Sequence, residues 1–131
     1  MLTSFKSQET TANINNQDLF NKFSNLNNLK DFLPQEIQDF ESTTDSCSFK
    51  ISQLPKLSLH IIEKLEYSLI KLQSKNSQIN FEMCCQIQAI NQHSCIVILE
   101  INIELNIMMK MMAEKPINLF LEKLTEKIKN L

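Results

Sequence analysis

Three residue types are absent from this chain: glycine, tryptophan and arginine. Average usage would give about nine glycines in a chain of this length. Phosphate-binding loops and glycine-rich dinucleotide turns need a close backbone approach that a Cβ atom would block, so neither is expected. Without arginine, no guanidinium fork is available for bidentate binding of phosphate or carboxylate. An AT-rich genome and a deliberately simplified sequence are both open explanations for these absences.

A charge excess and long apolar runs are absent as well. The 131 residues carry 13 basic and 15 acidic side chains, for a net charge of -2, and 43% are hydrophobic. This balance does not favour nucleic acid or an anionic membrane surface as a partner. No window reaches the roughly 18 continuous apolar residues of a membrane span, and the N-terminus lacks the apolar core of a signal peptide. We expect one cytoplasmic domain over residues 1–131.

The cysteines indicate free thiols rather than a metal or redox site. The adjacent residues Cys84 and Cys85 lie in a strand pattern and should face opposite sides of a sheet, whereas Cys47 and Cys95 are distant in sequence. No Cys-x-x-Cys pair and no zinc-like spacing occurs. We therefore expect no disulfide, no metal site and no cofactor.

The first 35 residues predict a weak strand followed by two short helices. Residues 1–14 are weakly strand-like, and Asn15 and Asn16 offer an N-cap for a helix that carries Leu19, Phe20 and Phe23 on one face. Helical spacing of apolar residues then continues from residue 26 to residue 33. Pro34 ends the second helix because the residue before a proline disfavours the α conformation.

From residue 37 onward the apolar residues alternate, which predicts an antiparallel meander. The candidate strands are residues 37–43, 47–51, 56–64, 68–74, 80–90 and 94–105. Each of the last five strands has an apolar row opposite a mostly polar row, as expected for a sheet covered on one side. Because the chain has no glycine, we expect Asp45, Asn76 or Asn91 to adopt a positive φ in the turns.

The C-terminal third predicts a long amphipathic helix. Asn106 is the expected N-cap, and Pro116 should kink the helix or split it, because proline lacks a backbone donor. The expected apolar stripe beyond the proline is Ile117, Phe120, Leu121, Leu124, Ile128 and Leu131.

The order of elements and four segments resemble the START-like (SRPBCC, polyketide-cyclase-like) superfamily. The segments are residues 29–34, 43–49, 57–63 and 104–116, the last containing Met-Met-Lys-Met-Met-Ala and Lys-Pro. That last segment is similar to a small bacterial subgroup of orphan function. The resemblance implies an α+β helix-grip fold, with a curved antiparallel sheet of six to seven strands, two short helices and a long C-terminal helix kinked near Pro116.

The resemblance also implies a hydrophobic cavity between the sheet and the C-terminal helix. Superfamily members bind lipids, quinones, polyketides or other apolar molecules, and some are enzymes or co-chaperone-like proteins. From the apolar rows we expect ten residues to line the cavity: Leu59, Ile61, Met83, Cys85, Leu99, Ile101, Met109, Met112, Phe120 and Leu124. Methionine adapts to varied partners, but the same side chains would equally suit a plain core.

No residues converge on a catalytic pattern. His60 lies in the outward row of its strand, His93 lies in a turn, and no spacing pairs the carboxylates. Tyr67 also lies in a turn. The leading hypothesis is therefore non-catalytic binding of a small apolar ligand. A protein-interaction or co-chaperone-like module with a collapsed cavity, using the outer sheet face or Met108 and Met111, is the alternative. A cyclase-type or hydratase-type enzyme would require a polar cluster inside the cavity.

Overall fold

The structure is a computed structural model that describes residues 2–35, 37–51, 53–75 and 78–131. It is an α+β fold in which a curled antiparallel sheet packs against a long C-terminal helix. The elements in chain order are β1 (Leu2–Lys6), β2 (Thr10–Ala12), α1 (Asn16–Phe23), a 3₁₀ helix (Leu26–Phe32), β3 (Ile37–Ser42), β4 (Ser46–Ile51), β5 (Leu57–Leu65), β6 (Leu69–Ser74), β7 (Phe81–Asn91), β8 (Ser94–Glu104) and α2 (Ile107–Lys129).

The described strands form one sheet in the order β1-β8-β7-β6-β5-β4-β3. Strands β3 to β8 form a meander in chain order. The last of them, β8, then pairs with the N-terminal strand β1. The N-terminal strand is interrupted between Lys6 and Thr10, so that β2 pairs separately with the other end of β8. The described part of the chain consequently forms a sheet of eight strands, where six to seven were predicted.

The two short helices form as predicted, and the second is a 3₁₀ helix. The side chain of Asn15 caps α1 by accepting a hydrogen bond from the backbone N–H of Asp18 at 2.7 Å. Asn25 caps the 3₁₀ helix in the same way, accepting from the N–H of Asn27 at 3.0 Å. The Lys127 ammonium of α2 donates to the carbonyl of Leu33 at 2.8 Å, which ties α2 to the end of the 3₁₀ helix.

Asp45 and Asn91 do not have positive φ, and Asn76 lies outside the described residues, so the prediction that one of the three adopts positive φ stays a prediction. Among the described residues, positive φ occurs at Asp39, with φ of 55°. Asp39 lies within the bulge of β3, where the register with β4 shifts between Gln38 and Glu41. The turn after β7 instead closes through a side chain, since Asn91 Oδ1 accepts from the backbone N–H of His93 at 2.8 Å.

The hydrophobic core lies between the concave face of the sheet and α2, and α1 and the 3₁₀ helix cover one end. The predicted inner rows of β4, β6, β7 and β8 are buried. Five of the six residues in the predicted stripe of α2 are buried: Ile117, Phe120, Leu121, Leu124 and Ile128. The sixth, Leu131, is 38% exposed. Ala113 extends this stripe by one turn toward the start of α2 and is fully buried.

Helix α2 continues through Pro116 without a break, so it is not split into two pieces. Asn106 is its N-cap, as predicted, and accepts a hydrogen bond from the N–H of Met109 at 2.8 Å. Proline has no N–H to donate to the carbonyl of Met112 four residues earlier, so one helical hydrogen bond is missing there. Within the described ranges, no helix is long and apolar enough to cross a membrane.

Candidate functional site

A small apolar gap lies between the sheet and α2, where the sequence predicts a cavity. We call it the interior gap, and its volume is about 40 Å³. Ligand pockets typically measure about 300–1,000 Å³, so the interior is nearly closed. The side chains around it come from α1, the 3₁₀ helix, β4 to β8 and α2. The lining residues are Phe23, Leu26, Leu29, Phe49, Leu59, Ile70, Leu72, Met83, Cys85, Leu99, Phe120, Leu124 and Ile128.

Aromatic contacts hold the gap closed at two places. The rings of Phe49 and Phe120 stack with centroids 6.1 Å apart, joining the sheet to α2. The rings of Phe23 and Phe32 meet edge to face at 4.8 Å, joining α1 to the 3₁₀ helix. Such ring pairs stabilise a fold by about 0.5–1.5 kcal/mol beyond the burial of their surface.

A groove of about 400 Å³ lies on the surface beside the gap, which we call the Pro116 groove. It runs between α2 and the neighbouring ends of β3 and β4. Its lining residues are Pro34, Ile37, Gln38, Ile51, Lys115, Pro116, Leu119 and Phe120. Phe120 lines both the groove and the interior gap, so its side chain forms the wall between them.

The interior gap offers almost no acid–base chemistry. Its only ionisable side chain among the described residues is the Cys85 thiol. Burial, with smaller contributions from Cys95 and Cys84, raises the pKa of the Cys85 thiol to about 12. A neutral thiol is a weak nucleophile, because the thiolate is the reactive form.

The other polar residues considered in the sequence lie away from the gap. His60 lies in the outer row of β5, where its Nδ1 has no hydrogen-bond partner, and His93 lies in the exposed turn after β7. Tyr67 packs edge to face on Phe20 with ring centroids 5.5 Å apart. Over the described ranges, no three His, Cys, Asp or Glu residues cluster so as to hold a metal ion.

Six of the ten residues predicted to line a cavity do line the interior gap. They are Leu59, Met83, Cys85, Leu99, Phe120 and Leu124. Ile101 is buried in the inner row of β8 but lies outside the lining. Ile61 is half-buried next to the bulge of β5, and Met109 is half-buried at the margin of the core. The expectation that Met112 faces the sheet is wrong, because its side chain is 51% exposed.

Sequence reasoning missed the part of the lining that comes from α1, the 3₁₀ helix and other inner rows. Phe49, Ile70 and Leu72 belong to the apolar rows that the alternation identified, so that signal was present. Leu26 and Leu29 lie at helical spacing, but the pattern does not indicate which strands the 3₁₀ helix covers.

The first turns of α2 carry an exposed apolar surface, which we call the Met patch. Ile107, Met108, Met111 and Met112 are 72%, 72%, 77% and 51% exposed. These four residues face away from the sheet while Ala113 and Ile117 face it. Exposed apolar patches of this kind often mark contact surfaces.

A second, polar groove of about 630 Å³ separates the segment at residues 6–11 from the later turns of α2. Lysine and glutamate side chains such as Lys6, Glu9 and Glu122 line it. Such mixed charges are typical of a solvated surface.

Solved structures with the same fold cover almost the whole chain. A START superfamily protein from Mycobacterium smegmatis aligns with a TM-score of 0.69 and 11% identity, over 98% of this chain and 97% of that chain. Norcoclaurine synthase from Thalictrum flavum, in complex with dopamine and hydroxybenzaldehyde, aligns with a TM-score of 0.66 and 11% identity, over 98% and 87%. A protein from Deinococcus radiodurans aligns with a TM-score of 0.65 and 9% identity, over 99% and 95%.

These alignments confirm the predicted helix-grip fold of START-like proteins, and at this identity they show the fold alone. No protein-family model matches the chain, and no curated protein matches it. The resemblance to one bacterial subgroup therefore stays a prediction. The fold occurs both in the START protein and in an enzyme, so the activity has to be argued from the site itself.

Proposed function

We propose that this protein binds a small apolar ligand, without catalysis, between the sheet and α2. The observation that carries the proposal is the shared wall at Phe120, which separates an apolar interior gap from an apolar groove of about 400 Å³. A ligand that displaces this side chain would gain a continuous apolar site. Burial of its surface would provide the driving force, about 25 cal/mol for each Å² removed from water.

The small volume of the interior gap requires the site to widen on binding. Met83 is a methionine of the lining, and its flexible side chain can repack around different shapes. The missing hydrogen bond at Pro116 makes α2 easier to bend one turn before Phe120. Both features support a site that opens rather than one that is permanently hollow.

The chemistry of the lining supports binding without catalysis. A cyclase-type enzyme needs a general acid or base within hydrogen-bond reach of its substrate. As far as its residues are described, the lining provides one neutral thiol and otherwise hydrocarbon, thioether and aromatic side chains. Norcoclaurine synthase, which shares this fold, is solved in complex with dopamine and hydroxybenzaldehyde, and this supports only the general idea that the fold accepts small organic molecules.

The test uses methionine methyl groups as reporters. The protein is labelled with ¹³C-methyl methionine and titrated with dodecan-1-ol, an uncharged apolar probe. We expect the Met83 signal to shift while those of Met108 and Met111 stay in place, because Met83 lines the gap and the other two are exposed on α2. A Met83→Leu variant assigns the signal. A Met83 signal that never moves up to the solubility limit would contradict the proposal.

The Met patch favours a second function, that of a protein-interaction module with a collapsed interior. Four large apolar side chains at one helix end are exposed, and the interior gap of about 40 Å³ is smaller than ordinary ligand sites. In that case a partner would shift the Met108 and Met111 signals and leave Met83 unchanged. Substituting Met108→Gln and Met111→Gln together should then abolish the complex, and native mass spectrometry of protein from its own host should show no apolar small molecule.

A further inference from the structure

Among the described residues, the Pro116 groove combines apolar walls with a single positive charge. Ile37, Ile51 and Leu119 contribute aliphatic surface, and Lys115 is the one charged side chain in its lining among the described residues. Lys115 is exposed, and its ammonium is therefore hydrated and mobile at the rim. An apolar trough with one cation at its edge matches an amphiphile that carries one negative charge.

The side chain of Phe120 closes both the inner end of the groove and the interior gap. Phe120 is 4% exposed and stacks on Phe49, which lines the gap but not the groove. Pro116 lies one helical turn before Phe120 and lines the groove too. A movement of Phe120 off Phe49 would therefore connect the groove to the gap without displacing a sheet strand.

We propose that the Pro116 groove is the entrance of the ligand site and selects a long-chain monocarboxylate. The carboxylate pairs with Lys115 at the rim, and the hydrocarbon chain lies along the groove and enters the gap by displacing Phe120. This inference rests on the proposed apolar-ligand function and adds the ligand class, its orientation and its route.

The charge part of the inference is tested with sodium dodecanoate and dodecan-1-ol, which have the same chain length. Isothermal titration calorimetry should show tighter binding of dodecanoate to the wild-type protein. Lys115→Gln should weaken dodecanoate binding about two- to fivefold, the range of an exposed ion pair, and leave dodecan-1-ol binding unchanged. Lys110→Gln, the same charge change on the same helix outside the groove, is the control and should leave both affinities unchanged.

The route is tested by stopped-flow association of the same probes. Phe120→Leu should speed association several-fold, because less side chain has to move before binding. Leu121→Val, at a buried position of the same helix that lines neither the gap nor the groove, is the control and should leave the association rate unchanged. Thermal melting confirms that each variant is folded before it is compared.

The outcomes separate this inference from the function on which it rests. Equal affinity for the acid and the alcohol, unaffected by Lys115→Gln, would overturn the carboxylate selection and leave apolar binding intact. An unchanged association rate in folded Phe120→Leu would overturn the route past Phe120. No binding of either probe would overturn both the inference and the proposed function.

Discussion

The ring of Phe120 on α2 lies nearly parallel to the ring of Phe49 on β4, with centroids 6.1 Å apart and planes inclined by 22°. The ring of Phe49 also lies beside the ring of Phe40 on the edge strand β3, with centroids 6.5 Å apart. This row of rings links the sheet edge to the helix that covers the sheet. It also places Phe120, which lines both the groove and the gap, against a residue of the sheet.

The stacked pair should be energetically coupled. We expect Phe49→Leu and Phe120→Leu each to lower the free energy of unfolding by about 1–3 kcal/mol. The double variant should lose less than the two single losses together, by about 0.5–1.5 kcal/mol, because the ring–ring interaction is lost only once. Urea unfolding of the four proteins measures this coupling. The control is Leu119→Ala, at a neighbouring position that is 39% exposed, and its effect should add to that of Phe49→Leu. A coupling energy near zero for the ring pair would contradict the prediction.

The N-cap of α2 should contribute measurably to stability. Asn106→Ala removes the side-chain acceptor for the N–H of Met109, now bonded at 2.8 Å, and should cost about 1 kcal/mol. Thermal or urea unfolding measures the loss. Asn118→Ala, in the exposed middle of the same helix, should instead be neutral or slightly stabilising. Equal effects at the two positions would show that the cap is unimportant.

The second half of α2 should be essential for folding. A chain that stops before Ile117 loses five buried apolar residues, each worth about 1.5–3 kcal/mol, which is comparable to the whole stability of a domain. We expect no cooperative melting by circular dichroism. A chain that lacks only Asn130 and the exposed Leu131 is the control and should melt like the full-length protein. Cooperative melting of the shorter chain would contradict the prediction.

Stability should fall at alkaline pH because of buried thiols. Burial raises the pKa of the Cys47 thiol to about 12, and that of Cys85 to about 12 as well, from 9.0. Since the folded pKa lies above the unfolded one, this stabilisation is complete below about pH 9 and is lost as the pH rises toward 12. Each thiol contributes a slope of up to about 1.4 kcal/mol per pH unit in that window. Urea unfolding between neutral pH and about pH 10.5 measures the decline.

The matched control for the pH effect is the double variant Cys47→Ala with Cys85→Ala. The variant keeps every other ionisable side chain, so the difference between the two slopes reports the thiols. The variant should be less stable at neutral pH and lose stability less steeply above pH 9. Identical slopes would show that the buried thiols do not control alkaline stability.

Much of the fold was predictable because alternation and helical spacing are local signals. The six predicted strands from residue 37 onward match β3 to β8 to within one or two residues at each end, and Asn15 and Asn106 are the caps that the sequence indicated. The Met patch shows the limit of this reasoning. Met109 and Met112 both belong to the helical spacing of the stripe, but Met109 packs at the margin of the core whereas Met112 is 51% exposed.

The turn conformations were harder to predict. Asp45 and Asn91, two of the three candidates for a left-handed residue, do not have positive φ, and the side-chain acceptors Thr43 Oγ1 and Asn91 Oδ1 close their turns. The positive φ occurs instead at Asp39, where a bulge bends an edge strand. A register shift depends on how two strands pair, so no single segment of sequence reveals it.

The sequence by itself determined the strands, the caps, the apolar faces and the absence of nucleotide-binding loops, because these depend on residue type and on spacing within a few positions. Only the tertiary structure decided the size of the interior, the interruption of the N-terminal strand and the position of Phe120 between the groove and the gap. These depend on how closely distant segments pack. A volume of about 40 Å³ is what remains after side chains from eight of the described strands and helices have filled the space between sheet and helix.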